Sequence, residues 1–184
     1  LIRHRSNFVP PGHCGPPGSP YMRIIGVDPG LVNTGYGVID VNGRSHVAVE
    51  GGVSKTKASE ALEFRLASIY RDIKEVLEEH KPNAMAVEDL HSRYRNLKTA
   101  IIMGHARGVV VLAAGEAGIP VFNYQPTQAK NLVTGSGRAD KEQVQQAVAV
   151  HLRLPGLDNE HVADAFSIAI AHAMMSDSPV AKAI

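Results

Sequence analysis

The chain has 184 residues, 19 Lys and Arg against 18 Asp and Glu, and 44% hydrophobic content. That length suits one domain with a real core, is too short for two large domains closing on a ligand, and the composition excludes a wholly disordered chain. A single cysteine, Cys14, leaves no intramolecular disulfide and fits a reducing compartment.

Residues 1–21 carry the Pro/Gly-rich stretch from Val9 to Pro20, which buries no face. They read as a leader or tag outside the fold, with Met22 as the functional start. The folded domain is expected over 22–176, with a flexible tail over 177–184. From Met22 onward 17 basic residues face 18 acidic ones, so bulk charge gives no vote for nucleic acid. No basic-then-apolar signal segment opens the sequence, and the nearest thing to a membrane span, Gly108 to Ala114, is far too short. The expectation is a soluble cytoplasmic protein with no membrane partner.

Arg23–Asp28 is a short apolar strand ending in a carboxylate and broken by Pro29-Gly30. Gly35–Val41 reads as a second strand, Asn42-Gly43 as a hairpin turn, and Arg44–Val53 as a third strand. Ala58–His80 places Leu62, Leu66, Ile69, Ile73, Val76 and Leu77 at helical spacing, and Lys81-Pro82 ends that helix. Ala84–Glu88 is a buried strand, again ending in a carboxylate. Leu97–Gly118 is a helix, Pro120–Tyr124 a fifth strand, and Asp140–Leu154 and Glu160–Met175 two further helices. The order βββαβαβαα predicts an α/β fold. It has a five-stranded mixed sheet, three antiparallel strands followed by crossovers, flanked by helices.

Asp28 and Glu88 both stand where an apolar strand runs out, and neighbouring strand ends in such sheets converge on a ligand site. Converging carboxylates repel unless protons or cations intervene, and hard divalent cations prefer oxygen ligands. His161 and Asp164, three apart on the last helix, share one face and can join the same site. Singly, each has a plainer explanation: a turn Asp, a helix cap, a structural histidine. Their joint occurrence favours a metal site. Asp140, followed by Lys141-Glu142-Gln143, reads as an N-cap with its capping box. Asp158 and Glu160 read as caps, Glu160 being a reserve ligand, and Asp89 faces away from Glu88.

His91 to Arg107 carries Arg93, Arg95, Lys98 and Arg107 without an acid, and Tyr94 lies between two arginines. A basic loop with an interleaved aromatic suits phosphate contact and base stacking, though a solvated helix start explains the charge equally well. Lys130, Arg138 and Lys141 cluster around Thr134-Gly-Ser-Gly137, which lacks the Walker pattern. Gly104 and Gly108 give the second helix a small-residue face for close approach of the sheet or a second subunit.

Five segments, in this order, resemble the RuvC Holliday-junction resolvases from Met22 to about Met175: Ile24-Ile-Gly-Val-Asp-Pro-Gly30, Thr34-Gly-Tyr-Gly37, Ala86-Val-Glu88, Gly104-His-Ala-Arg-Gly108 and Ala163-Asp-Ala-Phe-Ser-Ile-Ala-Ile170. The resemblance implies an RNase H-like fold, a homodimer, and a Mg²⁺- or Mn²⁺-dependent endonuclease that nicks four-way DNA junctions in recombination and repair. It also implies cooperation with a RuvA–RuvB branch-migration complex. It assigns metal binding and catalysis to Asp28, Glu88 and Asp164, and basic DNA-facing roles to Lys130 and Lys141. Many members have Asp where this chain has His161, and an aromatic where it has His91. Stacking therefore falls to His91 or Tyr94. Two cations about 3.5–4 Å apart would flank the scissile phosphate. Imidazole suits transition metals better than Mg²⁺, so Mn²⁺ is expected to be favoured. A neutral His161 predicts activity falling below about pH 6.5, the reference imidazole value. The DNA-binding set is His91, Arg93, Tyr94, Arg95, Lys98, Lys130 and Lys141. The rival readings are an actin-like phosphotransferase, for which the chain is too short, and a non-catalytic junction-binding module, against which the intact carboxylates argue.

Overall fold

A computed structural model describes residues 22–89 and 97–176. The proposed leader 1–21, the tail 177–184, and His91, Arg93, Tyr94 and Arg95 lie outside the described residues.

Ten elements follow in chain order: β1 (Met22–Asp28), β2 (Asn33–Asn42), β3 (Ser45–Lys55), α1 (Leu62–His80), β4 (Ala84–Glu88), α2 (Leu97–Glu116), β5 (Val121–Tyr124), α3 (Pro126–Thr134), α4 (Lys141–Leu152) and α5 (Glu160–Ser176). The sheet order is β3-β2-β1-β4-β5. The first three strands form the expected antiparallel meander, its β2–β3 turn closed by Gly43 at φ 54°. The crossovers through α1 and α2 add β4 and β5 in parallel. β1 is thereby central, flanked by β2 and β4.

Strand alternation splits the core in two. Ile25, Val27, Tyr36, Val38, Met85 and Val87 pack with α1 and α2 on one face. Ile24, Ile39, Ala86 and Tyr124 pack with α3, α4 and α5 on the other. A bulge in β3 at Val49, between the Val38–Glu50 and Ile39–Ala48 pairs, sharpens the twist there.

α5 is the most deeply buried helix, with an unbroken buried run from Ala165 to Ala173. Its backbone lies directly on the sheet. A Cβ on Gly26 of β1 would come within 2.0 Å of the Ala165 carbonyl oxygen, and one on Gly35 of β2 within 2.2 Å of the His161 carbonyl oxygen. Only glycine permits either contact, and these two contacts fix where α5 sits along β1 and β2.

Four expectations need correction. α1 begins at Leu62 rather than Ala58, because Ala61 is still extended (ψ 150°) and Glu60 N–H closes a turn onto Lys57. α2 ends at Glu116 rather than Gly118, whose positive φ of 67° stops the helix. The segment around Thr134 is not only a loop. It is the end of α3, a helix absent from the predicted order, opened by Pro126 in its first turn and closed by Gly135 at φ 78°. Finally, α2 is 20 residues long with a mean hydropathy of 1.4 over its best window, so by length and composition it could cross a membrane, contrary to the sequence reading. Here one side of it packs under α1 and the sheet through Ala106, Val110, Ala113 and Ala114.

Candidate active site

β1 and β4 run parallel with Val27 opposite Val87, so Asp28 and Glu88 come next at the same strand ends. Alternation from Gly26 and Ala86 turns both side chains toward α5. That helix presents His161 and Asp164, one turn apart, at the same place. The turn after β1 is held by Thr34, whose fully buried hydroxyl donates to Gly30 O at 2.7 Å and accepts from Gly30 N–H at 3.3 Å. Asp28 is therefore not consumed as a turn residue.

His161 links the set. Its Nδ1 lies 3.4 Å from Asp28 Oδ2, and its Nε2 accepts from Asn33 Nδ2 at 3.2 Å. With Nε2 accepting, Nδ1 carries the proton toward Asp28. Asn159, not Asp158 or Glu160, caps α5: its Oδ1 accepts from the backbone N–H of His161 at 3.0 Å and of Val162 at 3.4 Å. Asp140 does cap α4, with the expected capping box to Gln143.

The three carboxyl groups crowd one another. Burial first, then repulsion from Asp28 and Asp164, pushes the Glu88 carboxyl up to about 8. Burial, then Asp28, pushes Asp164 up to about 6. Lys130 of α3 is the cation that pulls both back down. Among the described residues no Lys or Arg forms an ion pair with Asp28, Glu88 or Asp164. Three carboxyl groups free of lysine and arginine ion pairs among the described residues fit a hard divalent cation, and His161 can join them where one of its ring nitrogens is released from Asp28 or Asn33. The bond to Asp28, opposed by burial, raises His161 above the usual imidazole range. Any loss of activity on protonating this ring therefore begins above the pH 6.5 expected from the sequence.

Of the expected DNA-facing residues, Lys98 lies exposed in the first turn of α2 and Lys130 adjoins the carboxylates. Lys141, opening α4, forms an ion pair with Glu160 beside His161. Arg107 serves the other face of the sheet, donating to Asn123 and lying 4.0 Å from Asp89, which also accepts from Gln125 at 2.9 Å. A separate trio, Glu50, Glu79 and His80, brings potential ligand atoms within 4.8 Å of one another on the α1 side. Its Glu50 already accepts from Tyr36 O–H at 2.8 Å and meets His80 Nε2 at 2.7 Å.

Sequence reasoning missed Asn33 and Asn159. Asn159 had a signal, since Asn is among the strongest N-cap formers. Its neighbour Asp158 is as strong, and only the backbone separates them. Asn33 carries no local signal, because its partner is 128 residues away.

A family model described as "Crossover junction endodeoxyribonuclease RuvC" matches residues 24–172. The crossover junction endodeoxyribonuclease RuvC of Rhodopirellula baltica is 43% identical over 162 residues, covering 88% of this chain and 91% of that protein. The solved Thermus thermophilus RuvC superposes with a TM-score of 0.81 at 37% identity, covering 89% of this chain and 100% of that one. T. thermophilus RuvC in complex with Holliday junction substrate superposes with a TM-score of 0.83 at 37% identity, over 89% and 99% of the two chains. The five-stranded mixed sheet is that RNase H-like fold.

The raised Glu88 carboxyl makes a stability prediction for the metal-free protein. An unfolded Glu releases its proton near 4.5, whereas folded Glu88 holds it to about 8. Its contribution is thus intact below 4.5 and is lost as pH rises through that window. Glu88→Gln, which cannot ionise, should raise the melting temperature in EDTA by a few degrees at pH 8–9 and leave it unchanged near pH 4. Calorimetric scans of both proteins across that range measure the difference.

Proposed function

We propose a reaction from one premise: the chain belongs to the RuvC family of crossover junction endodeoxyribonucleases. It is a structure-selective endonuclease that resolves four-way DNA junctions by metal-dependent hydrolysis, in recombination and repair. The observation that carries this is the convergence of Asp28, Glu88 and Asp164 with no lysine or arginine ion pair to any of them among the described residues.

Asp28, Glu88 and Asp164, with His161 beside Asp28, are the residues that would hold Mg²⁺ or Mn²⁺. When bound, such ions polarise the scissile phosphate and lower the pKa of a water. The chain's own contributions are separable. Glu88 gives up its carboxyl proton as cations enter, so binding releases a proton. His161, aimed by Asn33, holds Asp28 in one orientation. Lys130 supplies positive charge where a phosphate must approach three carboxyl groups. Water attacks phosphorus as the bond to the 3′ oxygen breaks, leaving 5′-phosphate and 3′-hydroxyl ends that a ligase reseals. Lys98, Lys141 and the segment with His91, Arg93, Tyr94 and Arg95 extend the DNA-contacting surface.

Symmetric paired nicks need two such sites, hence a two-fold dimer. The exposed side of α2 supports one. Leu97, Ile101 and Leu112 are 75%, 52% and 54% exposed, and with Gly108 and Gly115 they form one apolar stripe. Family membership extends the proposal to cooperation with a RuvA–RuvB complex, and to the cytoplasm as the place of action.

The central test incubates the protein with a labelled synthetic four-way junction, with and without Mn²⁺, against linear duplex. Metal-dependent nicking of the junction alone is expected. Asp28→Asn should abolish it while junction binding persists; loss of binding too would make Asp28 structural. Comparing rates in Mn²⁺ and Mg²⁺ tests His161 as a ligand. Mn²⁺ should be the better cofactor, and His161→Asp should narrow the ratio, whereas an unchanged ratio removes the assignment. Leu112→Arg should yield a monomer by light scattering that no longer makes paired nicks; a stable dimer places the interface elsewhere.

A further inference from the structure

Two buried residues outside the carboxylate set connect the elements that carry it. Tyr124 closes β5 and is the register partner of Glu88 in the parallel β4–β5 pair. His172 lies eight residues, about two turns, beyond Asp164 on α5. Positions 164, 168 and 172 run along one side of that helix. The Tyr124 hydroxyl and His172 Nδ1 are 2.8 Å apart, and both residues are almost wholly buried. The His172 ring also packs on Phe122 at a tilt of 37°, centroids 4.4 Å apart, and lies edge-on to Tyr124.

Each half of this pair is tied to one catalytic carboxylate. Tyr124 moves with Glu88 through the strand ladder. His172 moves with Asp164 through one continuous helix. Gly26 and Gly35 fix α5 against β1 and β2, while toward β4 and β5 its C-terminal half rests on apolar packing with Ala86 and on the contact of His172 with Phe122. The Tyr124–His172 bond adds a directional tie to that packing on the far side of Glu88.

We propose that Tyr124 and His172 are positioning residues whose hydrogen bond sets the separation of Glu88 from Asp164, and so the affinity of the site for its divalent cations. Two observations give the bond weight. It is made inside the core, where an unpaired hydroxyl or imidazole nitrogen carries its full desolvation penalty. The second ring nitrogen, Nε2, is buried with no hydrogen-bond partner among the described residues, where Nδ1 makes the ring's one side-chain hydrogen bond. Burial holds His172 well below the usual imidazole range, at about 4, and raises the Tyr124 hydroxyl. Both groups thus stay neutral at working pH. With Nε2 protonated, Tyr124 O–H donates to Nδ1. Groups that aim metal ligands without touching the metal typically change affinity by about 10–100-fold when removed.

The inference rests on Glu88 and Asp164 holding cations, so the test begins with Mn²⁺ titration of the wild-type chain by calorimetry. No Mn²⁺ binding there would overturn that reading, and this inference with it. Given binding, Tyr124→Phe and His172→Leu should each weaken Mn²⁺ affinity about tenfold or more. Junction binding in EDTA should stay unchanged. His172→Asn, whose side-chain oxygen can stand where Nδ1 stands, should restore affinity to within about threefold of wild type. The positioning role is overturned if Tyr124→Phe and His172→Leu lower the melting temperature yet bind Mn²⁺ as wild type does. It is overturned equally if His172→Asn is as impaired as His172→Leu. Should His172→Leu fail to fold, Tyr124→Phe decides alone, since it removes only an oxygen atom.

Discussion

The site depends on one steric permission: the backbone of α5 rests directly on β1 and β2 because Gly26 and Gly35 carry no Cβ. Ordinary helix-on-sheet packing leaves about a side chain's thickness between layers. Removing that thickness at two points brings Asp164 down beside Asp28 and sets His161 over Gly35, within reach of both Asp28 and Asn33. The alanine-rich face of α5 serves the same end, since small side chains let the helix lie flat. Without this approach the strand-end carboxylates would still be neighbours, but the helix would stand too far off to complete the set.

Close approach has an electrostatic consequence. Pressing Asp164 toward Asp28 and Glu88 takes three carboxyl groups out of water and faces them with one another. Glu88 and Asp164 respond by holding their protons far longer than free carboxylates do. The fold therefore stores unfavourable interaction in the metal-free state, of the kind a bound cation relieves. Lys130 moderates the charge without pairing to any one carboxylate, which leaves the oxygens available. Lys141 is handled differently. It is engaged by Glu160, so a basic residue at the rim is held by an acid that is itself beside the site. The two lysines, alike in the sequence, differ because α3 sets Lys130 near the carboxylates and α4 opens with Lys141 against Glu160.

The strands could be read from the chain because each announces itself locally: apolar runs stopped by Pro29-Gly30, Asn42-Gly43 or a charged end. The Asp140–Gln143 capping box was equally local and was found. α3 was missed although it had a proline at its start and a glycine past its end, because nine residues with two buried apolar side chains give little periodicity. The carboxylates were identifiable by position at strand ends. Their neutralisation state was not, since it arises from burial and from the charge of carboxyl groups far apart in the chain. Asn33 and the Tyr124–His172 bond escaped for a like reason, their partners lying 128 and 48 residues away. Each is an ordinary polar residue locally and acquires meaning only through a partner brought by the fold.

Strand alternation also divides labour between the two faces of the sheet. Glu88 faces α5, whereas Asp89, the next residue, faces α2 and lies near Arg107 and Gln125. A single peptide unit thus joins the catalytic layer to the helix proposed to pair with a second subunit. Arg107 also donates to Asn123, one residue before Tyr124, so β5 is tied to α2 on one face and to α5 on the other. The ends of β4 and β5 are therefore clamped from both sides at the level of Glu88. The carboxylate that links the layers is also the one whose charge is most strongly suppressed, which makes Glu88 the member of the set most exposed to changes on either face.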